Sequence, residues 1–215
     1  MNLRFANFSN FGFVRDTVPP EILSVLKQEI DQIDLDKADP ISGQLAGNIE
    51  KQFELSSSNK VLEPYILHLC HEYLNTFNPK YTFQFSQIEN LKLNTSWVNF
   101  QKKNEFNPIH THDGFFSFVI WIKIPYSVQA EIAQPHVANS NMQRAGMFSF
   151  MYTNVFGEIR ESVQAIDSSF EGEIFLFPAS FMHQVYPFST SDEYRISISG
   201  NIVNGWYYYN WRCDF

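Results

Sequence analysis

Three histidines set the chemistry this chain can carry. His110 and His112 stand two positions apart in the segment NPIHTHDG, and Asp113 follows directly. Residues at i and i+2 of a β-strand point to the same face, so this pair offers two imidazoles to one ion. His183 comes much later, in FPASFMHQVYPF, just after an apolar run that ends at Phe177-Pro178. A close pair plus one distant ligand is the facial arrangement that grips a divalent metal and leaves open positions for other reactants; two histidines and a carboxylate are its common form. Beyond His183, the alternation in Arg195-Ile196-Ser197-Ile198-Ser199 puts Arg195, Ser197 and Ser199 on one face and the isoleucines on the other. On an interior face an always-charged guanidinium requires an anion. A carboxylate gripped by two parallel N–H groups is its best match, with the Ser197 hydroxyl as a second donor.

Taken singly, each feature is ordinary. A His-x-His pair on a strand is more often a surface or hydrogen-bonded pair than a metal site, a lone histidine near a strand end is a ligand less often still, and an Arg-x-Ser strand is usually a solvated face. His68 and His71 fall inside a helical pattern with no ligand-type neighbour and read as such ordinary histidines. The combination, in order and on an all-β background, points to one metal and one anion.

The elements that must position these groups are legible in outline. Pro19-Pro20 opens a helix whose Ile22, Leu26, Ile30 and Ile33 repeat at intervals of three and four. After a turn-rich stretch through Asp39-Pro40, Gly43 and Gly47, a second amphipathic pattern runs from Lys60 to Phe77 through Leu62, Tyr65, Ile66, Leu69 and Tyr73. From Tyr81 onward β-branched and aromatic residues come in short runs broken by turn residues. These predict strands at Tyr81–Ile88, Leu91–Lys102, Asn107–Thr111, Phe115–Ile124, Met147–Asn154, Gly172–Phe177, Gln184–Pro187 and Tyr194–Val203. Short strands separated by turns predict a mainly β fold, a double-stranded β-helix or cupin-like jelly roll, with about two N-terminal helices packed on one sheet. Phe115–Ile124 is apolar on both faces and should be a central strand covered by the second sheet and by the helices. One domain is expected over 1–215: a helical part over 1–80, the jelly-roll core over 81–205 and a docked aromatic tail over 206–215. The stretch Tyr126–Ala145 reads as a long loop over the site, with no residue that specifies a substrate.

Composition narrows the classes. The net charge of −8 and the absence of a dense Lys/Arg cluster argue against nucleic acid as a partner. No run approaches the roughly 18 apolar residues of a membrane span, and the first residues lack the apolar core of a signal peptide, so no membrane partner is expected. Cys70 and Cys213 stand far apart, which favours reduced thiols and a cytoplasmic setting. A C2 homodimer is the default assembly.

The segments SWVNFQKKNEFNPIHTHDGFFSFVIWIKIP and GEIFLFPASFMHQVYPFSTSDEYRISISGN resemble the 2-oxoglutarate/iron(II) oxygenases of bacteria and marine bacteriophages. Members share a Trp-x-Asn strand, a His-x-His turn, a Phe-Pro-Ser-x-x-x-His segment and an Arg-x-Ser-x-Ser-x-Asn strand. The resemblance runs from about Trp97 to Asn201, and AGNIEKQF near the N-terminus is similar as well. It implies an Fe(II)- and 2-oxoglutarate-dependent dioxygenase, of hydroxylase type and in the host cytoplasm if phage-borne. His110, His112 and His183 would ligate iron, and Arg195 with Ser197 would bind the distal carboxylate of the co-substrate. Asn99 is a candidate donor to the same co-substrate; Trp97 and Trp121 are candidate pocket residues, Trp121 more readily read as core packing.

The wider superfamily has His-x-Asp or His-x-Glu at the first two ligand positions, and here His112 occupies the carboxylate position. A neutral imidazole there leaves the centre one unit more positive, and Asp113 is the alternative ligand if a bulge turns it inward. Zinc or nickel suits the same donors. Two rival readings stand beside this one: a cupin-type metalloenzyme that uses no 2-oxoglutarate, and a metal-free jelly-roll binding or structural module. The prime substrate is not specified.

Overall fold

The computed structural model describes residues 10–77 and 90–205. The expected strand Tyr81–Ile88, the aromatic run Trp206–Trp211 and Cys213 lie outside the described residues. Two antiparallel sheets form a mainly β jelly roll. In the larger the order is β1 (Val14–Thr17), β8 (Glu173–Pro178), β5 (Phe116–Lys123), β10 (Arg195–Asn204), β3 (Leu91–Gln101) and β2 (Lys51–Leu55). In the smaller it is β4 (Asn107–His110), β9 (Met182–Val185), β6 (Phe148–Thr153) and β7 (Ile159–Gln164).

β5 is the central strand that its two-faced apolar sequence requires. Phe116, Phe118, Ile120 and Ile122 face one core, shared with Ile22, Leu26 and Ile30 of helix α1 (Pro20–Asp31) and with Leu62, Ile66, Leu69 and Tyr73 of helix α2 (Asn59–Phe77). Val119 and Trp121 point the other way, into a second core with Phe148, Phe150, Phe175 and Phe177 between the sheets. The helices therefore cover one face of the larger sheet and leave the other for the second sheet and the site. Glu29 on α1 accepts the backbone N–H groups of Ser56, Ser57 and Ser58, a turn of donors at the entrance to α2, and so fixes the two helices together. Cys70 is buried among these helix contacts as a free thiol.

Four strands depart from the sequence expectation. β1 and β2 lie in the part read as helical and turn-rich, and both are edge strands whose side chains are mixed in polarity. β7, IRESVQ, is an edge strand with partly exposed faces, so its alternation carries little apolar signal. β9 begins at Met182, two residues before the expected start, because its pairing is set by His183 opposite His110 on one side and Phe150 on the other.

The stretch Tyr126–Ala145 is not a loop over the site. It contains helix α3 (Val128–Ile132) and helix α4 (Pro135–Ala138), and none of its residues borders the cavity described below. Its anchor is Glu131, fully buried, whose carboxylate accepts Ser189 N–H (2.9 Å), Ser189 Oγ–H (3.1 Å), Thr190 N–H (2.8 Å) and the Thr190 hydroxyl. Glu131→Ala strands these donors and is expected to cost about 2 kcal/mol. In a chain of this size that lowers Tm by about 4–8 °C in a thermal melt. A Tm unchanged from the parent would show that the clamp contributes nothing.

Candidate metal centre

The larger sheet's inner face and the smaller sheet enclose a cavity of about 490 Å³, and the three histidines stand on its wall. His110 closes β4 and sits directly opposite His183 on β9, a cross-strand pair on one face. His112 lies just past the end of β4. Its backbone N–H donates to Ala179 O, and Ala179 N–H donates to Phe115 O, which pins the two ligand-bearing segments to each other. One ligand-type atom from each of the three imidazoles falls within 4.8 Å of the others.

Hydrogen bonding selects which atoms face the centre. His110 Nδ1 lies 2.7 Å from Pro108 O and His183 Nδ1 lies 2.9 Å from Phe181 O. A carbonyl can only accept, so each Nδ1 carries the proton and each Nε2 keeps its lone pair. His112 Nε2 and His183 Nε2 are 3.2 Å apart. Two nitrogens each about 2.1 Å from one ion are separated by about 3.0 Å at octahedral and about 3.4 Å at tetrahedral angles. The observed spacing falls between the two.

Burial keeps the three imidazoles neutral. Loss of solvent lowers all three imidazoles from the ordinary value, to about 4 for His112 and about 3 for His183, and in those two the neighbouring histidines add to the effect. The rings of Phe148, Phe150 and Phe177 pack against His183, and Trp97 against His112, which supplies the apolar surroundings. Three neutral imidazoles with fixed tautomers fit a divalent first-row metal. Asp113 borders the cavity but is exposed and stands outside this ligand group, so the alternative ligand set is not assembled. His68 and His71 lie on the exposed side of α2.

The residues read as an anion site divide between the cavity wall and the layer behind it. Asn99, Ser197 and Ser199 border the cavity on facing positions of β3 and β10, and Asn99 Nδ2 donates to Ser197 Oγ and Ser199 Oγ, each at 3.2 Å. Arg195 is 1% exposed and lies one layer behind, out of contact with the cavity. All its N–H groups are engaged: Nε and Nη2 with Gln101 Oε1, Nη1 with Tyr126 Oη and Gly146 O, and Nη2 also with Tyr186 O. Each acceptor is neutral, and no ion pair among the described residues includes Arg195.

The residues that sequence reasoning missed are Gln101 and Tyr126, which hold Arg195, and the segment 41–52. Ile41, Leu45, Gly47, Ile49 and Gln52 wall one side of the cavity. The stretch AGNIEKQF was the available signal for that segment. Trp121, read as core packing, is buried in the inter-sheet core and also borders the cavity, with an Nε1–H that has no partner.

Fold and ligand cluster together define a jelly-roll protein with a centre positioned for a metal ion. A family model described as "Putative 2OG-Fe(II) oxygenase" matches residues 95–201, and through that stretch the chain belongs to this 2OG-Fe(II) oxygenase family. Among solved structures, a Pseudomonas putida prolyl-4-hydroxylase is 13% identical with a TM-score of 0.53, covering 90% of this chain and 93% of its own. HygX from Streptomyces hygroscopicus, solved with nickel, 2-oxoglutarate and hygromycin B, is 11% identical with a TM-score of 0.56 over 91% of this chain and 84% of its own. The epimerase SnoN of nogalamycin biosynthesis is 14% identical with a TM-score of 0.57 over 90% and 77%. These likenesses are of fold. No curated protein matches the chain. Among the described residues no helix is long and apolar enough to cross a membrane.

Proposed function

We propose that the chain is an Fe(II)- and 2-oxoglutarate-dependent oxygenase of dioxygenase type. In this reading His110, His112 and His183 hold the metal, and Arg195 with Ser197 and Asn99 receives the co-substrate. The observation that carries it is a buried guanidinium with no carboxylate partner, one layer behind a cavity that also holds three converging neutral imidazoles. An uncompensated buried charge is costly. A ligand carboxylate at the Nε–Nη2 edge of Arg195 would neutralise it with two parallel hydrogen bonds. Gln101 Oε1 now sits at that edge, 3.2 Å from Nε and 2.6 Å from Nη2, in the place of a carboxylate oxygen.

Bound at the three histidines, iron supplies the redox chemistry by which oxygen, 2-oxoglutarate and a substrate C–H group become succinate, carbon dioxide and a hydroxylated product. The chain's own groups do the rest. Rotation of Gln101 clears the guanidinium for the distal carboxylate, and Ser197 and Asn99 orient the co-substrate along the inner face. The Phe148, Phe150 and Phe177 rings keep water from the centre. The fully engaged state of Arg195 is the one feature that favours a cupin-type metalloenzyme without 2-oxoglutarate. Succinate formation against 2-oxoglutarate concentration decides between them. Gln101→Ala is expected to lower the KM for 2-oxoglutarate severalfold, by about 1 kcal/mol of lost competition. Turnover indifferent to 2-oxoglutarate would refute the oxygenase reading.

A further inference from the structure

The cavity has a second recognition surface, away from the histidines, where β2 and the segment before it meet the start of β4. Gln52 is 1% exposed and its Nε2–H donates to Asn99 Oδ1 at 2.6 Å. The orientation of both amides is fixed by a backbone group. Asn99 Nδ2 lies 3.3 Å from Ser197 O, which can only accept, so Oδ1 must face Gln52, and Gln52 must present its NH₂. That leaves Gln52 Oε1 as a buried acceptor with no partner. Asn107 Oδ1, on the neighbouring wall, is a second such acceptor.

The two amides share one corner. A Cβ built on Gly47 would stand 2.2 Å from Asn107 Oδ1 and 3.3 Å from Gln52 Nε2, so the missing side chain of Gly47 is what makes room for them. Glu54 is on the same face of β2 as Gln52, two residues on, and borders the cavity with its side chain exposed. Among the described residues that border the cavity, Glu54 and Asp113 are acidic and none is Lys or Arg. Buried acceptors without donors, in a cavity bordered by two carboxylates and no Lys or Arg, are the complement of a positively charged hydrogen-bond donor.

We propose that the Gly47, Gln52, Glu54 and Asn107 corner binds a protonated amine of the prime substrate and turns away phosphorylated compounds. This rests on the oxygenase reading for calling the ligand a substrate; binding itself does not.

Ligand-observed NMR titration of the full-length protein, with and without Ni(II) and 2-oxoglutarate, tests it. The probes are Nα-acetyl-lysine methylamide, D-glucosamine and, as the anionic control, D-glucose 6-phosphate. Saturable binding of at least one amine probe is expected, with no binding of the phosphate at equal concentration. Affinity should fall about tenfold in Glu54→Gln and in Gly47→Ala, whose new methyl displaces the Asn107 amide. Binding of the lysine probe alone would assign a protein side chain as the amine source, and binding of glucosamine alone a free amino compound. Phosphate binding equal to that of the amines, amine binding unchanged in both variants, or no saturable amine binding at tens of millimolar would each overturn the proposal. Because the metal-free arm reads amine binding directly, a failure of 2-oxoglutarate to bind would count against the oxygenase reading and leave this result standing.

Discussion

Replacing His183 with alanine is expected to abolish metal retention and to lower turnover by more than about 100-fold. That figure is the upper end of what losing a mere supporting group of a metal ligand costs, and His183 is placed as a ligand itself. The side chain is 4% exposed, its Nδ1–H is tied to Phe181 O, and its Nε2 lies 3.2 Å from that of His112. No other described residue with a metal-ligating side chain stands close enough to replace it. The loss should be as complete in His110→Ala, and the double variant should be no worse than either single one, because ligands to one ion act as a unit. Metal content by elemental analysis, with far-UV circular dichroism to verify folding, checks this. A folded His183→Ala protein that retains a full equivalent of metal would show that the ion binds elsewhere.

Arg195 is expected to give the largest combined effect on stability and co-substrate binding. Arg195→Ala leaves Gln101 Oε1 and Tyr186 O without the Arg195 donors that now satisfy them, while Gly146 O keeps the Tyr126 hydroxyl. Each buried acceptor left unpaired costs about 1–3 kcal/mol, and the two are not strictly additive, so a loss of about 2–4 kcal/mol is expected in denaturant unfolding. Arg195→Lys separates the two roles. It keeps the charge and some of the hydrogen bonds but lacks the planar fork, so it should fold while binding 2-oxoglutarate at least about tenfold more weakly. Equal 2-oxoglutarate affinity in folded Arg195→Lys would remove Arg195 from the co-substrate site and leave it a purely structural cation.

Most of the candidate site was legible in the sequence, and less of its surroundings. His110, His112 and His183 were legible because strand alternation fixes the facing of a His-x-His pair, and a buried third histidine follows an apolar run that must be a core strand. β5 and the two helices were legible for the same reason: a two-faced apolar run and a three-four repeat each have one plausible placement. What could not be read was the layer behind. The neutral partners of Arg195 come from β3, from Tyr126 and Gly146 and from Tyr186, and no local pattern links those positions. Gln52 was invisible because a polar residue on a short edge strand ordinarily faces solvent; here that face lines a cavity. The placement of Tyr126–Ala145 over the site failed because a buried glutamate, Glu131, ties the stretch to residues 189–190 instead.

The most direct test of the account is anaerobic titration of the metal-free protein with Fe(II) and then with 2-oxoglutarate, recording the visible spectrum. The expected result is a weak metal-to-ligand charge-transfer band that saturates at one equivalent of each, is absent in His110→Ala and His183→Ala, and is weakened in Arg195→Lys. Iron uptake with no band on adding 2-oxoglutarate would contradict the oxygenase assignment and leave a metal centre of another chemistry on the same three histidines.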